Sequence, residues 1–372
     1  MKIGFFTDSY FPQINGVTYT IQLWKKELEM QGHEVFVYYP QSKEYKPRKN
    51  EIPLKSLPFW FYKGYKIGLP SQGRIEKDLD VIHIHGLFSM AAFGLAMGRK
   101  MDIPCILTYH TPADMYLRQL SSSETMQEVM RIGYSKYEKE LLERCQLITV
   151  PSGVIKKMLK KKLKGKVGKI VVLSNGIDTG FFREMDPKRF RKKYGIPDGK
   201  MIGFTGRHSY EKHIEELIQL ADRFDGTVAI AGDGPQREHF EGLAEGKKNI
   251  KFLGFLPREE LPVFYSCLDI LCFPSRVETQ GLVVLEANAC GTPVVGADAL
   301  ALKETIKNGT NGYKYEPGDV DELARKIGLV YDNIGKLRRS SLKHAHKESV
   351  GKSIEKLLKL YKKVEDEGLP VS

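Results

Sequence analysis

Cysteine is scarce and scattered in this chain of 372 residues. The five cysteines stand at positions 105, 145, 267, 272 and 290, and no two of them form a Cys-x-x-Cys motif. An odd number at such spacing argues against structural zinc and favours a reducing, cytoplasmic environment.

Long apolar runs are missing as well. The longest uncharged apolar run covers residues 86–98, which is too short to span a bilayer. Asp8 follows only a few apolar residues at the amino terminus, so we expect no signal peptide. An apolar fraction of 41% and a charged fraction of 28% are ordinary for a soluble folded protein, and the length suggests two or three domains.

Acidic residues are clearly outnumbered by basic ones in the first half of the chain and nearly match them in the second. Residues 1–170 contain 27 Lys and Arg against 16 Asp and Glu, whereas residues 171–372 contain 31 against 30. The net charge of +12 therefore comes almost entirely from the first half. A basic half indicates a surface that meets phospholipid headgroups or nucleic acid, although excess lysine also serves general solubility.

Strand-like and helix-like segments alternate along nearly the whole chain, which is typical of parallel sheets covered by helices. We therefore predict an α/β fold with two Rossmann-like halves, joined near residues 174–183, and a ligand in the crevice at the carboxyl ends of their strands. The predicted strands are 2–7, 34–39, 81–85, 105–110 and 147–151, then 201–205, 227–231, 250–253, 270–273 and 293–295, and the predicted helices include 17–30, 124–144 and 352–366.

Two carboxylates flank a glycine in the second half. A short strand is predicted at 271–275, Glu278 lies on the loop that follows, and Glu286 lies about one turn into a helix that starts at Gly281. The N–H groups and positive dipole end near Gly281 and Leu282 suit a phosphate or a hydroxyl-rich ligand. Carboxylates there can accept hydrogen bonds from sugar hydroxyls. The structural alternative is a loop charge followed by the polar face of an amphipathic helix.

This segment closely resembles the Glu-x7-Glu signature of retaining glycosyltransferase family 4. Pro274-Ser275, the stretch Thr279-Gln280-Gly281 and the sequence Gly-Thr-Pro-Val-Val at 291–295 also have the family's form. The stretch from Glu278 to Gly281 resembles the diacylglycerol glycosyltransferases in particular.

The resemblance covers essentially the whole chain and implies the GT-B fold. In that fold two Rossmann-like domains face each other across a cleft, and a C-terminal helix crosses back to the N-terminal domain. The implied acceptor-binding domain is 1–175 with the helix 350–372, and the implied nucleotide-sugar-binding domain is 176–349.

Further loops resemble ligand-binding segments of the same family. Gly16 lies on the glycine-containing loop after the first strand, although Asn15-Gly16 could equally be an ordinary turn. His110 stands at the carboxyl end of the strand predicted at 105–110, and the resemblance implies that it lies beside the donor sugar. Gly206 and Gly234 belong to the two nucleotide-side loops of the second half.

The resemblance also implies how the reaction proceeds. Arg207 and Lys212, which is predicted to begin a helix, stabilise the charge on a departing diphosphate. Glu278 orients the donor sugar together with the backbone near it, and Glu286 binds the ribose. The acceptor attacks the sugar from the same face as the one from which the leaving group departs, so configuration is retained without an enzyme nucleophile. The donor-binding segment comprises Thr279, Gln280, Gly281 and Leu282.

No metal and no cofactor are expected. His83 and His85 share one face of a strand, but no Cys or carboxylate cluster completes a coordination set. Asp78-Leu-Asp80 resembles the metal-binding D-x-D motif of a different glycosyltransferase superfamily. Because the rest of the chain resembles a metal-independent fold, we reject that assignment.

Two basic stretches indicate a membrane surface. Residues 45–70 combine six Lys and Arg with one acidic residue and with Phe59, Trp60 and Tyr62. Residues 155–169 contain eight lysines, among them Lys156, Lys157 and Lys160, with apolar residues between them, which is consistent with an interfacial helix. Their alternatives are an acceptor-domain loop and a solvated lysine-rich helix.

We therefore predict a peripheral enzyme on the inner face of the cell membrane that moves a hexose, most simply glucose from UDP-glucose, to a lipid hydroxyl such as that of diacylglycerol. A transferase of the same fold acting on a soluble acceptor stays open, as does a basic nucleic-acid-binding protein, although no nucleic-acid-binding motif is present. A glycosidase-like carboxylate pair is disfavoured by the phosphate-directed cations.

Overall fold

The computed structural model describes residues 1–58, 66–69, 75–110, 124–164 and 169–367, apart from the side chains of 124–127 and 130. Contacts within the chain divide it into two units: unit 1 is Met1–Asn175 with Val350–Ser372, and unit 2 is Gly176–Ser349. Each unit contains a parallel sheet and its own helices, which confirms the predicted α/β class.

The described strands are short, and the described helices range from four residues to 20 residues. The described strands are β1 (Lys2–Thr7), β2 (Glu34–Pro40), β3 (Glu51–Leu54), β4 (Ser56–Pro58), β5 (Lys66–Gly68), β6 (Val81–His85), β7 (Cys105–Thr108), β8 (Leu147–Val150), β9 (Lys169–Val172), β10 (Met201–Thr205), β11 (Thr227–Ala231), β12 (Ile250–Gly254), β13 (Ile270–Phe273), β14 (Val294–Ala297) and β15 (Gly312–Tyr315). The described helices are α1 (Gly16–Met30), α2 (Ser89–Met101), α3 (Glu124–Glu143), α4 (Gly153–Leu163), α5 (Lys188–Lys193), α6 (Glu215–Leu220), α7 (Arg237–Leu243), α8 (Leu261–Cys267), α9 (Leu282–Ala289), α10 (Leu302–Thr305), α11 (Val320–Asp332), α12 (Ile334–Lys347) and α13 (Val350–Glu367).

Unit 1 is organised around a parallel sheet in which the described strands follow the order β3-β2-β1-β6-β7-β8-β9. Strands β4 and β5 form a separate antiparallel pair. β6, β7 and β8 are buried along their whole length, which is typical of a parallel sheet with both faces covered. The order reverses direction between β1 and β6, and such a switch point opens a crevice at the strand ends.

Helix α1 starts where a side chain caps it. Asn15 accepts a hydrogen bond from the backbone N–H of Thr18 at 3.0 Å, so the turn suggested by Asn15-Gly16 is the start of a helix. Trp24 and other apolar residues on α1 are fully buried in a cluster that also contains Leu357 and Tyr361 of α13. The C-terminal helix therefore completes the core of unit 1, as the GT-B resemblance implied.

Unit 2 has a parallel sheet whose described strands follow the order β12-β11-β10-β13-β14-β15. Its order reverses between β10 and β13, which pair directly through Ile202 and Gly203 against Ile270 and Leu271. The loops that leave these two strands at their carboxyl ends are therefore neighbours. Those loops carry Arg207, Lys212 and Glu278.

Some elements were not predicted from the sequence. Strands β3, β4, β5, β9 and β15 are three or four residues long, so they carry little periodicity. Strand β7 ends at Thr108, so His110 lies beyond the strand rather than inside it. Among the helices of the described ranges, none combines the length and the apolar character needed to cross a membrane.

Candidate functional site

The loop after β10 carries the two cations that the sequence assigned to a diphosphate. Arg207 lies two residues beyond the end of β10 and is exposed. Lys212 lies in a short 3-10 turn, Tyr210–Lys212, and α6 begins only at Glu215. The prediction that Lys212 begins an α-helix is therefore wrong, because a left-handed residue, His213, separates the turn from the helix.

Lys212 is held by the loop after β13. Its Nζ lies 2.6 Å from Oε1 of Glu278 and 3.3 Å from Oγ of Ser275. Ser275 in turn donates to the same Glu278 oxygen at 2.7 Å. The Lys212 and Glu278 side chains are 17% and 16% exposed, so this ion pair is shielded from water but still reachable. We call Lys212, Ser275 and Glu278 the Lys-Ser-Glu cluster.

A second ion pair fixes the loop that presents Glu278. Arg276 donates to Glu216 on α6 at 2.8 Å, and its backbone N–H donates to the carbonyl of Glu211 at 3.1 Å. Tyr315 on β15 donates to the other oxygen of Glu216 at 2.5 Å. Because Glu216 is only 4% exposed, these bonds form in a low-dielectric setting and orient the loop firmly.

The backbone around Glu278 is tied to α10. The carbonyl of Glu278 accepts from the N–H of Ala301 at 3.2 Å, and the carbonyl of Gln280 accepts from Oγ1 of Thr305 at 2.5 Å. Gln280 itself is buried, whereas Thr279 is half-buried. These two hydrogen bonds therefore hold the residue before the predicted donor-binding segment and one residue within that segment.

Gly281 begins α9 in a conformation that favours glycine. Its φ is +80°, and a Cβ built on it would lie 2.8 Å from Cδ2 of Leu302. The helix that follows, from Leu282, points its N-terminal end towards the loop of Glu278. This is the arrangement that the sequence predicted for binding a phosphate or a hydroxyl-rich ligand.

Glu286 has a partner of its own within unit 2. Tyr265 on α8 donates to Oε2 of Glu286 at 2.6 Å. Burial raises the pKa of Glu286, and the hydrogen bond from Tyr265 and the charge of Arg258 act in the opposite direction. Glu286 thus lies on α9 as predicted, and its ionisation depends on the Tyr265 hydroxyl.

The two glycine loops predicted on the nucleotide side touch each other. Gly232 has φ of +126°, and a Cβ added to it would lie 1.9 Å from the carbonyl oxygen of Gly206. A Cβ on Gly234 would lie 2.5 Å from the carbonyl oxygen of His208. His208 donates its backbone N–H to the carbonyl of Asp233 at 2.9 Å. Glycine therefore allows the loops after β10 and β11 to pack backbone against backbone.

The predicted residues of unit 1 lie after its strands. His110 is 8% exposed, and its Nε2 lies 3.0 Å from Nδ1 of His85 on β6. Gly16 is the first residue of α1, and its carbonyl accepts from Oγ1 of Thr20 at 2.7 Å. His83, paired with His85 in the sequence, bonds to Tyr361 and Thr108, each at 2.7 Å, which explains its burial as structural.

The basic helix α4 packs differently from the interfacial helix that the sequence suggested. Ile155, Leu159 and Leu163 are at most 1% exposed and belong to the core of unit 1, so its apolar stripe faces the protein. Lys157 and Lys160 are exposed, and Lys156 is half-buried. The exposed face of α4 therefore carries positive charge. Phe59, Trp60 and Tyr62 lie outside the described residues.

Sequence reasoning missed two residues that form hydrogen bonds with predicted site residues. Ser275 was noted only as a residue flanking the Glu-x7-Glu signature, yet it forms hydrogen bonds with both Lys212 and Glu278. Its position three residues before Glu278 could have indicated this contact. His85 was considered only as half of a metal-binding pair, and its contact with His110 depends on the pairing of β6 with β7. Within the described ranges, no group of three or more His, Cys, Asp or Glu residues is arranged to hold a metal ion.

Comparisons with known proteins show the family of this chain. The family described as glycosyl transferases group 1 matches residues 186–348, and the one described as glycosyltransferase family 4 matches residues 14–181. The chain therefore belongs to the group 1 and family 4 type of glycosyltransferases, which confirms the family predicted from the residues around Glu278.

Individual relatives carry more specific names. The chain is 32% identical over 337 residues to the alpha-monoglucosyldiacylglycerol synthase of Streptococcus pneumoniae, covering 85% of this chain and 75% of that protein. It is 28% identical over 388 residues to the enzyme of the same name from Acholeplasma laidlawii, covering 96% of each. Sucrose-phosphate synthase from Thermosynechococcus elongatus matches 99% of this chain and 100% of its own with a TM-score of 0.80 at 19% identity, which supports the GT-B fold.

Proposed function

We propose that this glycosyltransferase moves glucose from UDP-glucose to a lipid hydroxyl, that of diacylglycerol, with retention of configuration. The observation that carries the proposal is the Lys-Ser-Glu cluster at the switch point of unit 2, where Nζ of Lys212 lies 2.6 Å from Glu278. A cation at that place can bind the phosphates of a nucleotide sugar, and a carboxylate can accept hydrogen bonds from its hexose.

The diphosphate is bound by positive charge on the loop after β10. Arg207 and Lys212 come from one loop, and α9 directs its N-terminal end to the adjacent loop. Charge that grows on the leaving phosphate is stabilised by groups that are already in place, which is the largest contribution in many such sites. A phosphate that binds Lys212 competes with Glu278, and this leaves the carboxylate to accept from sugar hydroxyls.

Two carboxylates recognise hydroxyl groups of the donor. Glu278 orients the hexose, and Glu286 accepts hydrogen bonds from the ribose. When ionised, each of them is an acceptor only, so both carboxylate oxygens can receive hydrogen bonds from hydroxyl groups. The proposal also assigns His110 a place beside the hexose.

The reaction exchanges one C–O bond for another at the anomeric carbon. The bond to the phosphate oxygen breaks as the acceptor hydroxyl attacks from the same face, and the acceptor proton passes to a phosphate oxygen. Configuration is retained without a covalent enzyme intermediate, and the proposal includes no metal and no cofactor.

The lipid acceptor is supported by two independent observations. Relatives at 32% and 28% identity are named monoglucosyldiacylglycerol synthases. The exposed lysines of α4 give unit 1 a positive surface that suits anionic headgroups. The enzyme would then be peripheral on the inner face of the cell membrane, with unit 1 binding the acceptor and unit 2 the donor.

The test mixes purified enzyme with radiolabelled UDP- and GDP-hexoses, with and without anionic vesicles that contain diacylglycerol. Label from UDP-glucose in the lipid phase, reduced at least tenfold by Lys212→Met, is the expected result. Lys247→Met is the matched control, because Lys247 pairs with Asp222 at the surface of the same unit. Donor turnover without lipid would identify a soluble acceptor, and failure to turn over any donor would overturn the proposal.

A further inference from the structure

Two buried histidines of unit 1 share a hydrogen bond. Nε2 of His110 lies 3.0 Å from Nδ1 of His85, and their rings are stacked with centroids 5.3 Å apart. His85 is 1% exposed and His110 is 8% exposed. The proposed function gives His110 a place beside the hexose, and it gives His85 no role.

Both imidazoles are neutral at physiological pH. Burial lowers the pKa of His110 to about 3, and burial together with the neighbouring histidines lowers the pKa of His85 well below its usual value. A neutral imidazole has one N–H donor and one lone pair. One ring must therefore donate to the other, and the choice fixes the tautomer of both.

The environment of His85 decides the direction of that bond. Nε2 of His85 is buried and has no hydrogen-bond partner among the described residues. If His110 donated, the proton of His85 would sit on that Nε2 as a buried donor without an acceptor oxygen or nitrogen. Donation by His85 instead leaves only an unused lone pair, and buried unpaired N–H groups are the rarer and more costly case.

We propose that His85 is a positioning residue: it donates its Nδ1–H to Nε2 of His110 and thereby holds the His110 proton on Nδ1, as a fixed hydrogen-bond donor to a hydroxyl of the donor hexose. The assignment of the hexose rests on the proposed function. The direction of the bond between the two rings does not.

The packing around His85 keeps its ring in one orientation. Phe5 contacts it edge to face with centroids 4.7 Å apart, Trp24 does so at 5.6 Å, and His83 lies at 4.2 Å. A ring flip would have to displace these three neighbours in a close-packed core. His110 is therefore aligned before a ligand arrives, and such alignment lowers the cost of reaching the reactive geometry.

The tautomers can be read directly by nitrogen-15 NMR of the full chain labelled on histidine, without any substrate. We expect both His85 and His110 to carry their proton on Nδ1 at neutral pH, with each signal assigned from a variant that lacks that histidine. A proton on Nε2 of His110 would overturn the proposal. This readout stands whether or not the protein turns over UDP-glucose.

Three variants separate positioning from packing. His85→Leu removes the donor, His85→Asn keeps a donor N–H near the position of Nδ1, and His83→Leu perturbs an equally buried neighbour on the same strand. We expect His85→Leu to shift the His110 proton and to lower kcat by roughly tenfold to a hundredfold with a smaller change in the KM for donor.

The conservative variant should restore most of what the apolar one loses. His85→Asn is expected to keep the Nδ1 tautomer of His110 and most of kcat, and His83→Leu is expected to lower Tm while it leaves that tautomer in place. If His85→Leu and His83→Leu lower kcat equally and both leave the His110 proton on Nδ1, His85 is only a packing residue and the proposal fails.

Discussion

Nζ of Lys212 lies 2.6 Å from Oε1 of Glu278, and Oγ of Ser275 donates to that same oxygen at 2.7 Å. One carboxylate oxygen thus receives two hydrogen bonds, from residues that follow the two neighbouring strands at the switch point. A ligand that binds Lys212 changes the environment of Glu278, and a ligand that binds Glu278 changes that of Lys212. The effects of substituting the two residues on activity are therefore not expected to be additive.

Glu278→Gln should separate charge from shape at this position. The amide keeps the size of the side chain and can still accept from Ser275, but it loses the negative charge that faces Lys212. We expect kcat to fall roughly 10²–10³-fold with little change in Tm. Glu259→Gln, an exposed carboxylate of the same unit, is the control and should keep full activity. Equal activity of the two variants would contradict a role for Glu278.

Tyr265→Phe should change how activity depends on pH. Because the Tyr265 hydroxyl donates to Glu286 at 2.6 Å, it favours the carboxylate and lowers the pKa of a group that burial raises. Without that bond the pKa of Glu286 rises further, so ionised Glu286 is lost at a higher pH as the solution is acidified. The acid limb of kcat/KM against pH should therefore move to higher pH.

A second tyrosine provides the comparison for that profile. Tyr331 donates to Asp269 at 3.3 Å, also within unit 2, so Tyr331→Phe makes the same chemical change away from α9. Its acid limb should coincide with that of the unaltered protein. A shift to lower pH in Tyr265→Phe would show that the carboxylate is not the group that the profile reports.

Charge removal on α4 should weaken membrane binding without harming the chemistry. Lys157→Gln, Lys160→Gln and Lys161→Gln together remove three exposed cations and leave the buried apolar stripe intact. Sedimentation with anionic vesicles should show roughly 100-fold weaker binding. Turnover of diacylglycerol dissolved in neutral detergent should stay unchanged.

An equal change of charge elsewhere tests whether the position matters. Lys188→Gln, Arg189→Gln and Lys192→Gln remove three exposed cations from α5 of unit 2. Binding to the same vesicles should fall much less than for the α4 variant. If both triple variants lose the same affinity, net charge rather than α4 governs attachment.

Two glycines should respond to alanine in opposite directions. At Gly232 a Cβ would lie 1.9 Å from the carbonyl oxygen of Gly206 and would also occupy a positive φ, so Gly232→Ala should cost at least ~2 kcal/mol of unfolding free energy. Gly328 lies in α11, where a Cβ meets nothing within 4 Å, so Gly328→Ala should add roughly 0.5–1 kcal/mol. Denaturant unfolding monitored by circular dichroism measures both.

The fold could be predicted where periodicity is strong. Long amphipathic helices such as α1 and α13 and fully apolar strands such as β13 stand close to their predicted positions. Helix α4 shows the limit of that reasoning: an apolar stripe between lysines is the same pattern whether it faces a bilayer or a sheet. The burial of Leu159 and Leu163 depends on the neighbouring strands, which no local pattern reveals.

The candidate site likewise has features that the sequence predicts and features that it does not. Glu278 and Lys212 were predicted because each stands beside a strand end within a recognisable segment. Their ion pair, and the hydrogen bond of Ser275, depend on β10 and β13 being neighbours in the sheet. In the sequence, Gly206 after β10 and Ile270 at the start of β13 are 64 positions apart. Contacts of that kind require sheet order, which the sequence supplies only through resemblance.

The core of unit 1 is completed by the last helix of the chain, α13, whose Leu357 and Tyr361 belong to the same buried cluster as Trp24 of α1. During synthesis this unit begins first and is finished last, since residues 176–349 must be made before its final helix exists. Until then the apolar face of α1 is uncovered, and an emerging chain in that state is open to aggregation and to chaperones. A fragment that stops at Ser349 would therefore leave unit 2 intact and unit 1 without its closing helix.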